Sequence, residues 1–341
     1  MSRFKTPGPR MTELLRAAGS PDLNVARAAL HQLAKALTLP LQQGVLKGDI
    51  VSDIFQYEKF APGVAVEYPL DLLRPGTEDE HVAYTIPAQG RIPERHTEGD
   101  YVMVPTYEIG SSIDFALKYA REARWNVVSR ALQVLEGSFV RKTNSDGWRV
   151  ILSAAYGRFL TVYDDLVGPK FFSKRLVELM KNIMRRQAGG NSSSVNRGKL
   201  SRLYTSPEAM GDVRGWDTTQ VDPFTRRDIF LSEDMDAMKI FGVEVRSIDE
   251  LGVGQEFQSY FEDRLGGSMP TYTYEDESVE KAEIVVGLDL TDEGSFMNPV
   301  KEDVQIFEDP TFHRQRRASL YGFGEMGWLV SNQRDVLLGA I

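Results

Sequence analysis

The sequence predicts an α+β fold with mixed sheets around one long helix, and three observations lead there. Apolar residues recur at helical spacing through residues 112–135. Short β-prone runs lie on both sides of that helix, separated by Gly, Pro and charged clusters. No internal repeat interrupts the succession. At 341 residues the chain has room for about two domains or one elongated multi-part subunit. Its 42% hydrophobic and 26% charged residues supply an ordinary globular core.

The N-terminal stretch is basic. Residues 1–48 hold seven cations (Arg3, Lys5, Arg10, Arg16, Arg27, Lys35 and Lys47) against Glu13 and Asp22, a net of +5 on a chain whose total is −9. A basic arm on an acidic body suits a polyanion or the acidic surface of another copy. Within it the spacing predicts a helix over residues 24–37, with Val25, Ala29, Leu33 and Leu37 on one face. Pro21 and Pro40 are read as its boundaries.

Residues 60–112 read differently. Runs at 64–68, 82–86 and 101–104 have strand character, and the connections at 74–80 and 89–96 are too polar to bury. Such short strands predict a projecting β-loop completed by a partner surface, because an isolated hairpin is barely stable in water. The long helix follows, with Ala116, Tyr119, Ala120, Ala123, Val127, Ala131 and Leu135 as its core-facing stripe. Further helices are predicted at 148–158 and 173–186, then a Gly/Ser linker at 187–195. Ser206-Pro207 and Asp222-Pro223 read as helix starts. Strands are expected at 200–204, 243–246, 284–290 and 327–330. The apolar close, with Val336, Leu337 and Leu338, reads as a strand inside a sheet.

The chemical signals are thin. With no cysteine, disulfides, thiolate metal sites and a Cys nucleophile are excluded. The opening residues lack the apolar stretch of a secretory signal, and no run reaches membrane-span length, so a soluble protein made in a cytoplasm is expected. Gly322, Gly324 and Gly327 have G-x-G-x-x-G spacing. A dinucleotide site needs a following helix, a second strand and an acid about 20 residues on, and the chain ends too soon. These glycines are therefore expected where strands pack closely or bulge. The run 284–291 resembles a phosphate motif of actin-like ATPases but reads better as a buried strand ending in a polar turn. His31, His81, His96 and His313 show no ligand spacing. The acids at Asp164-Asp165, Asp234/Asp236 and Glu308-Asp309 suit Mg²⁺ less than solvated surface. No cofactor, no metal and no catalytic residue is expected. Residues 313–317 are read as a strand, with Arg314 and Arg316 on one face and Arg317 on the other. That placement favours intersubunit salt bridges over a phosphate patch.

Several stretches in order carry a resemblance: 203–216 (LYTSPEAMGDVRGW), 222–230 (DPFTRRDIF), 241–245 (FGVEV), 307–315 (FEDPTFHRQ) and 332–341 (NQRDVLLGAI). Together they are similar to the major capsid proteins of tailed bacteriophages, which share the Hong Kong 97 fold, from about residue 100 onward. The resemblance implies an N-terminal arm at 1–54 and an extended β-loop at 55–111. It also implies a peripheral domain with a spine helix at 112–160, an axial domain at 161–295 and a return to the peripheral sheet at 296–341. Its implied function is self-assembly as hexamers and pentamers into an icosahedral head shell around packaged double-stranded DNA. Portal and scaffolding proteins would be partners, with assembly in the host cytoplasm and no membrane. Arg3, Lys5, Arg10, Arg314, Arg316 and Arg317 are the candidate intersubunit or DNA-facing charges. The Lys–Asn–Glu trio that crosslinks some family shells is not matched here. The alternatives are an encapsulin-type compartment and a carboxylate-metal enzyme of unrelated α+β fold.

Overall fold

The computed structural model describes residues 9–48, 50–69, 101–158, 160–164, 171–187, 198–216, 237–273, 279–291 and 294–341. The helices are α1 (Pro9–Ala18), α2 (Leu23–Gly48), α3 (Leu117–Arg121), α4 (Trp125–Gly157), α5 (Lys174–Gln187), α6 (Pro207–Gly215) and α7 (Glu256–Ser259). The early strands are β1 (Gln56–Lys59), β2 (Glu67–Pro69), β3 (Tyr101–Met103), β4 (Tyr107–Ala116) and β5 (Thr161–Tyr163). Then come β6 (Arg202–Thr205), β7 (Ala237–Ile240), β8 (Val243–Ser247), β9 (Thr271–Thr273), β10 (Val279–Lys281) and β11 (Ile284–Leu288). The last are β12 (Phe296–Asp309), β13 (Arg317–Met326), β14 (Leu329–Val330) and β15 (Val336–Ala340). Two compact units result, Met1–Asp146 with Met297–Leu329, and Gly147–Phe296 with Val330–Ile341.

In the first unit α1 and α2 pack together as a helical hairpin. Asp22 starts α2 by accepting from the amide of Asn24 at 2.9 Å. Ala26, Leu30, Leu33, Leu37 and Leu41 form the buried stripe. Val25, expected on that stripe, is exposed. Pro40 does not end the helix but lies inside it. Packing explains this: Leu37 and Leu41 on either side are fully buried, which offsets the backbone bond that proline removes. The hairpin is held to its own unit. Gln42 Nε2 donates to Val304 O at 2.9 Å, and Thr38 Oγ1 accepts from Ile306 N at 3.4 Å. Both backbone groups belong to β12, so α2 satisfies part of a sheet edge that would otherwise be open.

The sheet of this unit runs β1-β12-β13-β4, with β14 beside β12. The helix expected from residue 112 does not start there. Ala116 is the last residue of β4, which pairs with β13 throughout. After α3 the chain turns through Ala123, whose φ is +50°. Ala123 N bonds to Ala120 O and Arg124 N to Tyr119 O, both at 2.9 Å, which closes α3 as a helix end with a left-handed residue. The long helix is α4, and the helix expected at 148–158 is its C-terminal part. The left-handed turn resets the helical phase, so a stripe read across it is misplaced. Trp125, Val128, Leu132, Leu135 and Phe139 are buried, whereas Val127 is 37% exposed. Of the predicted stripe, Ala120 and Leu135 are buried, Tyr119 and Ala131 are half-buried, and Ala123 sits in the turn.

The sheet of the second unit runs β5-β15-β11-β6-β8-β7. β15 lies inside it, antiparallel to β11 and parallel to β5. The closing residues 336–340 thus join this sheet, while β12 and β13 belong to the first unit. The expected return of 296–341 to a single peripheral sheet is therefore split. Met180 of α5 shares one core cluster with Leu203, Val285 and Leu337. It touches the sheet where glycine leaves room: a Cβ on Gly287 or Gly339 would come within 2.9 Å of its side chain. Tyr204 lies on the opposite face by alternation, with Trp148 edge-on at 5.0 Å and Phe257 stacked on Trp148 at 5.6 Å. The start of β15 is tied down by Arg158, whose Nη1 donates to Arg334 O at 2.9 Å and to Val336 O. Its Nη2 donates to Gln187. Burial, the largest influence, lowers the pKa of this guanidinium.

Candidate assembly surfaces

The basic cluster takes a shape that alternation did not foresee. Pro310–Gln315 is a run of 3₁₀ turns, Arg316 is left-handed at φ +57°, and β13 begins at Arg317. Arg314 and Arg316 therefore do not share a strand face. Arg316 O accepts from Leu117 N at 2.9 Å, fixing the start of α3. Arg317 Nη1 donates to Asp114 Oδ2 at 2.9 Å across the β13–β4 pair. Its partner here is in the same chain, a cross-strand bridge between two exposed side chains. Arg10 is exposed on α1, and Arg3 and Lys5 fall outside the described residues.

β2 and β3 form a two-stranded ribbon. One face is anchored: Tyr68 OH donates to Glu58 Oε2 at 2.7 Å and its ring meets Phe60 edge-on at 6.0 Å. Burial, and then the Glu58 carboxylate, push the Tyr68 hydroxyl well above the ordinary phenol range. Tyr101 and Met103, two apart on β3, are 64% and 66% exposed. The ribbon thus presents large apolar side chains on its other face. The run at 82–86 and both polar connections lie outside the described residues. Beside the ribbon, Asp303 accepts from Tyr57 OH and Lys59 Nζ, each at 2.6 Å. Burial works to raise the Asp303 pKa, and these two donors more than offset it, leaving the carboxyl below its ordinary range.

The glycine signature lies where strands crowd. A Cβ on Gly322 would sit 3.1 Å from the Phe139 ring, and one on Gly324 would be 3.0 Å from Glu302 O. The β12–β13 register shifts on both sides of Glu302, so Gly324 fits a bulge. A Cβ on Gly327 would be 3.0 Å from Pro105 O. On the same two strands stands a feature the sequence reading missed. Phe307 stacks on Phe323 at 5.0 Å and on Tyr321 at 5.6 Å. Tyr321 and Phe323 are two apart on β13, so period-two alternation was the available signal.

In the second unit, β11 is buried along its length. It leads into Asp289, which accepts from Lys199 N at 2.5 Å and Thr291 N at 3.0 Å. This is a polar turn after a buried strand. Asp164 accepts from Ser173 Oγ at 2.6 Å and faces Arg175 Nε at 3.7 Å. In the first unit Glu308 pairs with His31 at 3.0 Å. Asp165, Asp234 and Asp236 lie outside the described residues. Among the described residues no group of three or more His, Cys, Asp or Glu is placed to hold a metal ion, and no helix is long and apolar enough to cross a membrane. Val336, Leu337 and Leu338 are all buried in β15.

No protein-family model matches the chain, and no curated protein matches it in sequence. Solved structures do. A chain of Microbacterium phage Oxtober96 superposes with a TM-score of 0.54 at 11% identity, covering 86% of this chain and 90% of that one. The capsid of an empty GTA particle gives 0.54 at 13% identity, covering 86% and 89%. The Cyanophage Pam1 capsid asymmetric unit gives 0.52 at 13% identity, covering 84% and 88%. At such identities the likeness is one of fold, and it extends over most of both chains. This chain has the fold seen in phage capsid structures.

Proposed function

We propose that this chain is the major capsid protein of a tailed double-stranded DNA bacteriophage. Identical copies self-assemble as hexamers and pentamers into an icosahedral head shell. The observation that carries this reading is the capsid fold, matched over 84–86% of the chain and 88–89% of the capsid chains compared. The surfaces suit it. Tyr101 and Met103 on the β2–β3 ribbon and the aromatic ladder of Phe307, Tyr321 and Phe323 are apolar features on exposed or half-buried positions. Each such contact need be only modest, because a closed shell makes many at once. Packaged DNA would be met by charge rather than sequence, with salt-sensitive contacts. Portal and scaffolding proteins would join the shell during assembly in the host cytoplasm.

Electron microscopy of the purified full-length chain tests the reading. Closed particles with fivefold and sixfold clusters are expected. A protein that stays monomeric under all assembly conditions would overturn it. Nuclease-protected DNA in particles from infected cells, rather than a protein cargo, separates a phage head from a cellular compartment.

A further inference from the structure

Cations from two distant parts of the sequence meet at one corner of the first unit. Arg317 pairs with Ala116 across β13 and β4, and Leu117 N donates to Arg316 O at 2.9 Å. That register sets Arg316 and Arg317 beside α3 and the turn after it, which carry Lys118, Arg121 and Arg124. All five are exposed. Three non-glycine residues are left-handed among the described residues, and two of them, Ala123 and Arg316, are at this corner. Each bears the steric cost of a Cβ in that region. The turn at Ala123 brings Arg124 back toward Tyr119, with its guanidinium carbon 5.9 Å from the ring centre. Lys118 Nζ lies 4.9 Å from the same centre.

The two acids of these segments are already engaged. Asp114 pairs with Arg317 at 2.9 Å, and Glu122 with Arg124 at 2.5 Å. Arg121 Nε donates to Gly19 O at 2.7 Å, a neutral carbonyl that leaves its charge uncompensated. Lys118, Arg121 and Arg316 thus have no acid partner among the described residues. On neighbouring elements, Glu13 of α1 is matched by Arg16 one turn on, Asp22 caps α2, and Asp309 accepts from Thr311 N. α4 begins at Trp125 with no acid in its first turn, so the positive end of a 33-residue helix adds to the same field. Phe115, Leu117 and Ala120 are buried, which leaves cations around one half-buried aromatic ring and little apolar area. A protein interface has an apolar core, whereas a phosphate backbone is met by dispersed Lys and Arg.

We propose that this corner binds the phosphate backbone of double-stranded DNA, and that it therefore faces the interior of the shell. The proposal rests on the shell-forming reading above and adds which side of the subunit is turned inward.

Full-length subunits titrated with a mixed-sequence double-stranded DNA oligomer, over a series of salt concentrations, test the binding. Lys118→Gln combined with Arg316→Asn removes two cations, and Asn suits the left-handed position. Thermal stability should be unchanged or higher, while the slope of log K against log salt falls by about 1.8 in magnitude. Lys239→Gln removes an exposed cation from the second unit and should leave the slope as in wild type. A wild-type slope from the double variant, or an equal fall per charge from Lys239→Gln, would overturn the proposal.

Empty particles test the facing. The chain has no cysteine, so Lys118→Cys supplies a single thiol. A small maleimide should label it in closed particles, and a polymer-linked maleimide too large for the shell's openings should not. Labelling by the polymer puts the corner outside, and protection from both reagents puts it beneath another copy. Either result overturns the proposal. Wild-type particles built by a chain that binds no DNA leave the shell reading standing and remove this site. Absence of wild-type particles removes the shell and the inward facing together.

Discussion

The two sheets of this molecule are built from similar strands but differ in what covers them. In the second unit, all five residues of β11 and all five of β15 are buried, which requires packing on both faces. Apolar side chains fill the strands, and glycine admits Met180. In the first unit, β4 and β13 have exposed positions interspersed with buried ones, so part of that sheet's outer surface stays available. Phe307, Tyr321 and Phe323 stand there as a stacked ladder. One sheet is covered on both faces, and the other leaves apolar side chains at its surface. In the shell-forming role proposed above, that division would let contacts be made and remade without disturbing the doubly covered core.

The largest break in this comparison is expected at β15. Leu338→Asp buries a carboxylate with no partner in the middle of a sheet, at a cost of about 3–5 kcal/mol. Insoluble or unfolded subunits should result, scored by soluble yield and circular dichroism. A soluble variant with wild-type melting behaviour would show that β15 is not the interior strand described. On α4 a paired comparison sharpens the phase of the helix. Leu132→Ala should cost about 2–5 kcal/mol, and Val127→Ala less than about 0.5 kcal/mol, in denaturant unfolding. Equal effects would contradict the buried face assigned here.

Ala123→Gly relieves a left-handed alanine and should stabilise the subunit by about 1 kcal/mol, read as a higher melting temperature. A loss of stability would mean that the break between α3 and α4 is not held as seen. The smallest effect concerns Asp303. Its folded pKa lies below the ordinary carboxylate value, so its pairing contributes above that ordinary value and is lost as pH falls through the folded one. Asp303→Asn should cost under about 1 kcal/mol at neutral pH, since the pair is partly exposed, and the difference from wild type should vanish in acid. A deficit independent of pH would assign Asp303 a packing role instead.

Much of the second unit was legible because its signals are local. The apolar runs at 284–290 and 336–338, the helical spacing of Leu176, Val177 and Met180, and Ser206 before Pro207 each form the expected element. The first unit was harder for physical reasons. Apolar spacing across 116–135 adds a strand end, a short helix and the start of α4 into one apparent stripe, and nothing in the composition marks Ala123 as left-handed. Pro40 looked like a boundary because a local rule cannot see Leu37 and Leu41 packing on either side of it. The basic N-terminal stretch was read as an arm, yet its α2 buries a continuous stripe and bonds to β12 of its own unit. Residues 10–48 should accordingly resist protease in free subunits. The candidate surface residues were the least legible, because Phe307, Tyr321 and Phe323 stack only through where the fold places β12 and β13.

The claim that this chain builds closed shells is tested most directly by weighing the assembled protein. Charge-detection mass spectrometry of the purified full-length chain under assembly conditions should give one or a few discrete masses. Each should correspond to a closed icosahedral count of subunits. Only the mass of a single subunit, or an unbounded continuum of aggregates, would contradict the account.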